Sequence, residues 1–276
     1  MNTMIRPPIA DGLLYYDDEL KLKSFVKSSI ASNITEKKGS PFAMITPNAS
    51  YLLASSVYGA AYSQLINEEY DTVIIISQAH KMSYYSIGLS TSSAFETPVG
   101  MLEVDEESNQ ILKKYNKDFF VDGENYHLQD HSIELQIPYL LEVLDSDTKI
   151  LPILMGEPNT KFTILLSKAL KYLFEKSDKK YLIIVTTNLS NEYNYDKSVI
   201  IDSNFINILK QNNPDHLSEQ LALKQIIADG TGPVVSLVRL NNLLDNKEIV
   251  LLKYLSSAEI TEDRSKVEGY MAGIIY

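Results

Sequence analysis

The chain has 276 residues, of which 45% are hydrophobic and 22% charged, the usual mixture of a globular protein. It carries 25 Lys and Arg against 36 Asp and Glu, a formal net charge of −11. This charge argues against binding to nucleic acid, which needs an excess of cations, and against adhesion to anionic membranes. Cysteine is absent, which excludes disulfides, thiolate metal sites and a cysteine nucleophile.

The N-terminal residues 1–18 contain no long apolar run, so we expect neither a signal peptide nor a membrane anchor there. No stretch approaches the roughly 18 to 20 apolar residues of a membrane span. We also find no internal repeat and no linker between domains. These features predict a cytoplasmic protein with a single domain over residues 1–276.

Apolar runs of strand length alternate with amphipathic runs of helix length. In chain order they predict a strand at 42–46, a helix at 49–66, strands at 72–77, 84–90 and 100–104 around a turn at 96–98, a helix at 105–115, a helix at 132–144, a strand at 149–155, a helix at 161–176, a strand at 181–186, helices at 197–210 and 234–244, and strands at 249–254 and 267–275. Pro138 is expected to kink its helix. The pattern predicts an α/β protein of three layers, with helices on both faces of a central, mostly parallel or mixed sheet.

Polar side chains follow three of the predicted strands. Asn48, His80 and Asn188 come soon after the strands at 42–46, 72–77 and 181–186. Since α/β sheets bind ligands at the carboxyl ends of their strands, these side chains predict a polar pocket. The alternative is plain turn chemistry, because Asn and Ser are common in turns.

The chain has four histidines, and two of them are candidates for chemistry. His80 follows a buried strand, and His131 stands in the segment DHSIE at 130–134. That segment reads either as a helix cap or as a His and a carboxylate, Glu134, that project into the pocket. His127 and His216 are expected to be surface residues. The turn GTGP at 230–233 could hold an anion through its N–H groups, or serve only as a turn.

Ten short segments follow one another in an informative order. They are RPPIADG at 6–12 with Tyr15 and Tyr16, PNASY at 47–51, SQAH at 77–80, TPVG at 97–100 with Val104 and Asp105, DHSIE at 130–134, QIPYL at 136–140, LPILMG at 151–156, TTNLSN at 186–191, DGTGP at 229–233 and VEGY at 267–270. Together they resemble the motifs of the Memo family (Memo-like, AmmeMemoRadiSam system protein B), which is related to the LigB-type class III extradiol dioxygenases. The resemblance spans nearly the whole chain and implies a LigB/Memo-like fold.

The resemblance also implies a metal pocket, but this chain departs from the family at most of its positions. The family places His, His and Cys as metal ligands and a further His as the counterpart of the dioxygenase base. Here those four positions are Asn48, His80, Asp229 and Asn191. An amide oxygen is a poor ligand for iron, copper or zinc, and Asn191 cannot accept a proton near neutral pH. His80 and Asp229 therefore remain as a residual metal pair.

Two functions follow from these departures. The favoured one is a divergent Memo-like protein with a degenerate metal pocket, which is not an enzyme but a binding or scaffold protein for a protein partner or a small polar ligand. Radical-SAM-linked systems, where family members occur, are one source of such a partner. The alternative is an enzyme with a rearranged site, built from His80, His131 and Asp229, acting on a small polar substrate. We expect no cofactor in the first case and a weakly bound divalent metal ion in the second.

Overall fold

A computed structural model of the chain describes residues 4–81, 84–245 and 247–276. The strands run, in chain order, β1 Ile5–Arg6, β2 Ala43–Thr46, β3 Thr72–Gln78, β4 Ile87–Leu89, β5 Ala94–Thr97, β6 Gly100–Glu103, β7 Phe120–Asp122, β8 Lys149–Met155, β9 Tyr181–Thr186, β10 Val250–Ser256 and β11 Gly269–Ile275. The α-helices are α1 Glu19–Ala31, α2 Tyr51–Tyr62, α3 Glu106–Tyr115, α4 Glu124–His127, α5 Ile137–Val143, α6 Thr160–Lys176, α7 Tyr195–Lys210, α8 Pro214–Ala222, α9 Thr231–Leu243 and α10 Ala258–Thr261. Short 3₁₀ helices cover Ser63–Leu65 and Glu134–Gln136.

A mixed sheet organises the molecule. Within the described ranges it has eight strands in the order β10-β11-β2-β9-β3-β8-β4-β7. The strands β2, β9, β3 and β8 are mutually parallel, whereas β11 pairs antiparallel with β2 and β4 antiparallel with β8. A smaller sheet has the order β1-β5-β6. The predicted α/β class with a mixed central sheet is confirmed.

Helices cover both faces of the central sheet. Along β3, Ile74 and Ile76 pack with α3, α6, α7 and α9, while Val73 and Ile75 pack with α1, α2 and α5. All four side chains are fully buried. Because successive residues of a strand point to opposite faces, a strand that is apolar throughout is covered on both sides. The apolar run TVIIIS is the sequence signal of this arrangement.

The predicted helix at 132–144 is wrong in its first half. The chain forms a turn and the 3₁₀ helix before α5 begins at Ile137, so Pro138 falls in the first turn of α5. Proline fits there because the first N–H groups of a helix have no partner within it. It therefore does not kink α5.

Helix α1 was not predicted, although its signals are present. Asp18 caps it by accepting a hydrogen bond from the Lys21 N–H, and Leu22, Val26 and Ile30 are buried along one face. The charged residues between them hide this spacing, because they lower the mean hydropathy of the segment.

No helix in the described ranges is long and apolar enough to cross a membrane. The single domain over residues 1–276 stays a prediction.

Candidate functional site

Three neighbouring parallel strands place the polar residues that follow them side by side. β9 lies between β2 and β3, so the carboxyl ends of the three strands meet at one edge of the sheet. The Asn48 backbone N–H donates to the Asn188 side-chain oxygen at 3.0 Å. The Asn48 Nδ2 lies 3.3 Å from the His80 Nε2. The structure thus brings together the three residues that the strand ends suggested.

One side of the His80 ring is held by Asp130 and Ser132. The Asp130 Oδ2 accepts the His80 backbone N–H at 2.8 Å and lies 3.1 Å from the His80 Nδ1. The Ser132 Oγ is also 3.1 Å from that nitrogen, and the Ser132 N–H donates to the Asp130 Oδ1. Asp130 is buried, and its carboxylate fixes the orientation of the imidazole through the Nδ1 side of the ring. In the sequence, Asp130 stands out only as part of the segment DHSIE, and this role was not predicted.

The other side of the ring faces Asp229. Its Oδ2 lies 3.5 Å from the His80 Nε2, and about a quarter of each side chain is exposed. The second oxygen, Oδ1, accepts hydrogen bonds from the Asn188 N–H at 2.7 Å and from the Thr187 hydroxyl at 3.2 Å. Asp229 is therefore tied to the end of β9 and leaves one oxygen toward His80 and solvent.

Two carboxylates determine the charge of His80. Burial alone lowers the pKa of the imidazole, but the hydrogen bonds to Asp130 and Asp229, together with their charges, raise the pKa to about 10. For Asp130, burial raises the pKa, yet the hydrogen bond and charge of His80 outweigh it and lower the pKa below its usual range. The two carboxylates therefore favour the protonated form of the His80 ring.

A further carboxylate near the site, Glu268, was not among the residues predicted from the strand ends. It accepts from the Asn188 Nδ2 at 3.2 Å and from the Tyr270 hydroxyl at 2.9 Å. Burial, with the Asp229 charge nearby, raises the pKa of Glu268. The segment VEGY at 267–270 was the available signal for this residue.

His131 lies beside His80 but has the opposite electrostatics. The two rings stack with centroids 6.0 Å apart and planes 25° apart. Burial lowers the pKa of His131, and the nearby His80 charge lowers it further, which the charges of Asp130 and Glu134 only partly offset. The surroundings therefore shift the pKa values of the two neighbouring rings in opposite directions.

Glu134 does not belong to this cluster, and its expected place in the pocket is wrong. The side chain is fully buried and forms an ion pair with Arg6 at 2.7 Å. It also accepts hydrogen bonds from the Tyr15 hydroxyl at 2.5 Å and from the N–H groups of Ile9 and Ala10. Its oxygens are occupied because Glu134 anchors the N-terminal segment to the body of the protein. The predicted pocket residue is a structural one.

Three further residues, Asn191, His127 and His216, differ in their exposure. Asn191 is exposed after the buried Ser190, and in the described part of the chain it makes no hydrogen bond to Asn48, His80 or Asp229. His127, expected at the surface, is 1% exposed and packs edge-on against Phe95. His216 is half-buried in the first turn of α8.

The donor set does not suit a transition metal. In the described ranges, no three His, Cys, Asp or Glu side chains form a group with the geometry to hold a metal ion. The implied ligand positions hold one imidazole with both nitrogens hydrogen-bonded or closely paired, one amide, and one carboxylate that already accepts two hydrogen bonds. Iron, copper and zinc bind neutral imidazole and thiolate far better than an amide oxygen.

The fold and this edge of the sheet define an α/β protein with a cluster of polar and charged side chains at the carboxyl ends of parallel strands. The family model described as Memo-like protein matches residues 6–274. The chain therefore belongs to the Memo-like family, as its motifs indicated.

Several relatives match over the full length. A MEMO1 family protein of Sulfurisphaera tokodaii is 28% identical over 98% of both chains. One from Methanobrevibacter smithii is 26% identical over 98% of this chain and 99% of its own. A third, from Saccharolobus islandicus, is 28% identical over 98% of each.

Proposed function

We propose that this Memo-like protein is a binding protein rather than a metal-dependent enzyme, and that the cluster of Asn48, His80, Asn188 and Asp229 binds a small polar ligand. The observation that carries the proposal is the placement of His80. Both of its ring nitrogens face protein carboxylates, at 3.1 Å and 3.5 Å. A metal ion needs the lone pair of a neutral imidazole, so it would have to compete with the proton that these two carboxylates favour on the ring.

The residues around His80 support a ligand with both donors and acceptors. Asn48 carries an amide with both kinds of group, and Asp229 has one oxygen that faces the exposed edge. Asn191, at the position of the family's base, has no basic lone pair near neutral pH. The site is therefore equipped for hydrogen bonding and not for proton abstraction by that residue.

The test is to load the protein with metal and to restore the missing ligands. We expect protein purified without chelators to contain far less than one equivalent of iron, copper or zinc by elemental analysis. The double variant Asn48→His with Asp229→Cys should bind Zn²⁺ at least tenfold more tightly than the parent chain, since it supplies an imidazole and a thiolate and removes the Asp229 charge from His80.

Asn204→His serves as the matched control, because it adds an imidazole on the exposed face of α7 away from His80. The control should leave Zn²⁺ affinity unchanged. Near-stoichiometric metal bound through His80 in the parent chain would refute the proposal.

A second function is favoured by one observation, the stacked pair of His80 and His131. Groups whose surroundings push their pKa values apart are suited to act as an acid and a base. On this alternative, His80 donates a proton and His131 accepts one. The protein is first loaded with Fe(II) under anaerobic conditions and is then assayed for oxygen uptake with a panel of catechols. We expect no ring-cleaving uptake. Turnover above the free-iron background that is lost in His131→Ala would favour the enzyme instead.

A further inference from the structure

A cavity of about 290 Å³ lies beside the candidate site, between α6, α8 and α9. Its wall is formed by Pro158, Asn159, Thr160, Thr163, Ser218, Leu221, Ala222, Thr231, Gly232 and Val235. This volume is at the lower end of the range found for small-molecule pockets. It would accommodate a short alkyl chain or a single ring.

Three features make the cavity adjacent to the polar cluster. Thr231 and Gly232 in its wall stand two and three residues after Asp229 in the chain, and three residues span at most about 10 Å. The Gly232 N–H donates to the Gln78 side-chain oxygen at 3.3 Å, and Gln78 ends the strand that leads to His80. The wall at Pro158 follows β8, so the cavity also lies at the carboxyl edge of the sheet.

Gly232 lies between the cavity and the polar cluster, and its neighbours approach it closely. A Cβ at that position would come within 2.2 Å of the Met155 sulfur and 3.1 Å of Pro158. A side chain at this position would require Met155 to move from the place that it occupies against α9. This packing places the first turn of α9 against the strand end.

The chemistry of the wall favours an apolar occupant. Leu221, Ala222 and Val235 contribute aliphatic surface. The Thr163 and Ser218 hydroxyls donate to carbonyl groups of their own helices, at 3.0 Å and 2.7 Å. These hydroxyls therefore need no hydrogen-bond acceptor from a ligand, and apolar groups can lie against them without leaving a donor unpaired.

We propose that this cavity is a subsite for the apolar part of a small carboxamide-type ligand whose polar head binds at Asn48 and Asp229. The inference rests on the proposed function, because it assigns the ligand class of that same site. A carboxamide head has an N–H donor for the Asp229 oxygen and a carbonyl acceptor for Asn48 or His80, so it fits either protonation state of the ring.

The experiment titrates the full chain with acetamide, which carries the head alone, and with hexanamide, which adds a four-carbon extension, and follows backbone amide resonances by NMR. Acetamide should shift resonances around Asn48 and Asn188. Hexanamide should shift these and also Thr163, Ser218 and Val235, and should bind at least about tenfold more tightly, as expected for two or more buried methylene groups.

Ala222→Phe, which fills the cavity, should abolish the gain of hexanamide over acetamide and leave acetamide binding unchanged. Ala31→Phe is the matched control, because it makes the same substitution at an exposed position of α1, on the opposite face of the sheet, and should keep the gain. Ser218→Leu gives a second filled cavity, should Ala222→Phe fail to fold.

The outcomes separate the two proposals. If acetamide binds at Asn48 and hexanamide gains nothing, or if the gain survives in both filled variants, the cavity proposal is overturned and the proposed function stands. If neither amide shifts the residues around Asn48, the carboxamide assignment is overturned and the cavity proposal falls with it, whereas the proposed function is decided by the metal analysis and the double variant.

Discussion

His127 shows how burial changes a single titratable group. Its Nε2 lies 3.2 Å from the Gly88 carbonyl oxygen, whereas its Nδ1 is buried without a hydrogen-bond partner in the described residues. Burial lowers the pKa of His127 to about 4, although the Glu124 charge and the Gly88 carbonyl act in the opposite direction. The residue is therefore neutral in the folded protein over most of the accessible pH range.

This pKa predicts an acid-sensitive contribution to stability. In the unfolded chain His127 titrates near pH 6.5, so the unfolded state binds the proton first as the pH falls. The contribution is complete above about pH 6.5 and is lost at about 1.4 kcal/mol per pH unit down to pH 4, roughly 3 kcal/mol in all.

Urea unfolding at pH 7 and pH 5 measures the effect. The parent chain should lose about 2 kcal/mol more than His127→Gln over this interval, since the carboxylates are common to both proteins. Equal losses would mean that the imidazole is accessible to protons in the folded state.

The buried pair of Arg6 and Glu134 predicts a large effect of a single substitution. Glu134→Ala removes the partner of a fully buried guanidinium and leaves the Ile9 and Ala10 N–H groups unpaired. Breaking such a pair typically lowers the free energy of unfolding by about 3 to 5 kcal/mol.

The control for Glu134→Ala is Glu103→Ala, which removes the partner of Lys149 at an exposed ion pair and should cost less than about 1 kcal/mol. Chemical denaturation of both variants gives the comparison. Similar losses in the two proteins would contradict the structural role of Glu134.

At the scale of elements, the packing of α1 on α2 depends on one glycine. A Cβ at Gly59 would lie 2.2 Å from the Ser29 carbonyl oxygen, so the helices touch backbone to backbone there. In an exposed helix, replacing glycine with alanine is stabilising, because it reduces the entropy of the unfolded chain. Here the steric clash should outweigh that gain.

We therefore expect Gly59→Ala to lower the free energy of unfolding by about 1 to 3 kcal/mol, as overpacking does in other cores. Gly39→Ala is its control, because a Cβ there meets only the Tyr276 ring at 3.7 Å or more. That variant should be neutral within about 0.5 kcal/mol. Thermal unfolding followed by circular dichroism distinguishes the two.

At the scale of the whole molecule, the central strands lie between neighbours on both sides and between helix layers on both faces. β9 is paired with β2 and β3, and β3 with β9 and β8. The edge strand β10 has a register irregularity between Leu251 and Lys253 and is only partly buried. Stability should therefore decrease from the centre of the sheet to its edges.

Hydrogen exchange measured by NMR tests this order. Amides of β3 and β9 should exchange only through global unfolding, whereas those of β10 and β7 should exchange at least tenfold faster. Uniform protection across the eight strands would show that the sheet opens as one unit.

The amino-acid sequence by itself determined the elements with strong local patterns. The strands 149–155 and 181–186 were predicted with their observed bounds, because a continuous apolar run flanked by polar residues fits a strand covered on both faces. Asp105 caps α3 by accepting a hydrogen bond from the Ser108 N–H, a local interaction between residues three apart. The meeting of Asn48, His80 and Asn188 followed from strand ends, because parallel neighbours end at the same edge.

Only the tertiary structure decided the partners of those residues. Asp130 meets His80 across 50 positions of chain, and Glu134 meets Arg6 across 128. Both carboxylates stand in one five-residue segment, yet one faces the candidate site and the other anchors the N-terminal segment. Local pattern sets backbone conformation and periodic burial, but the charge state of His80 and the burial of His127 depend on which distant groups the folded layers bring within a few ångströms.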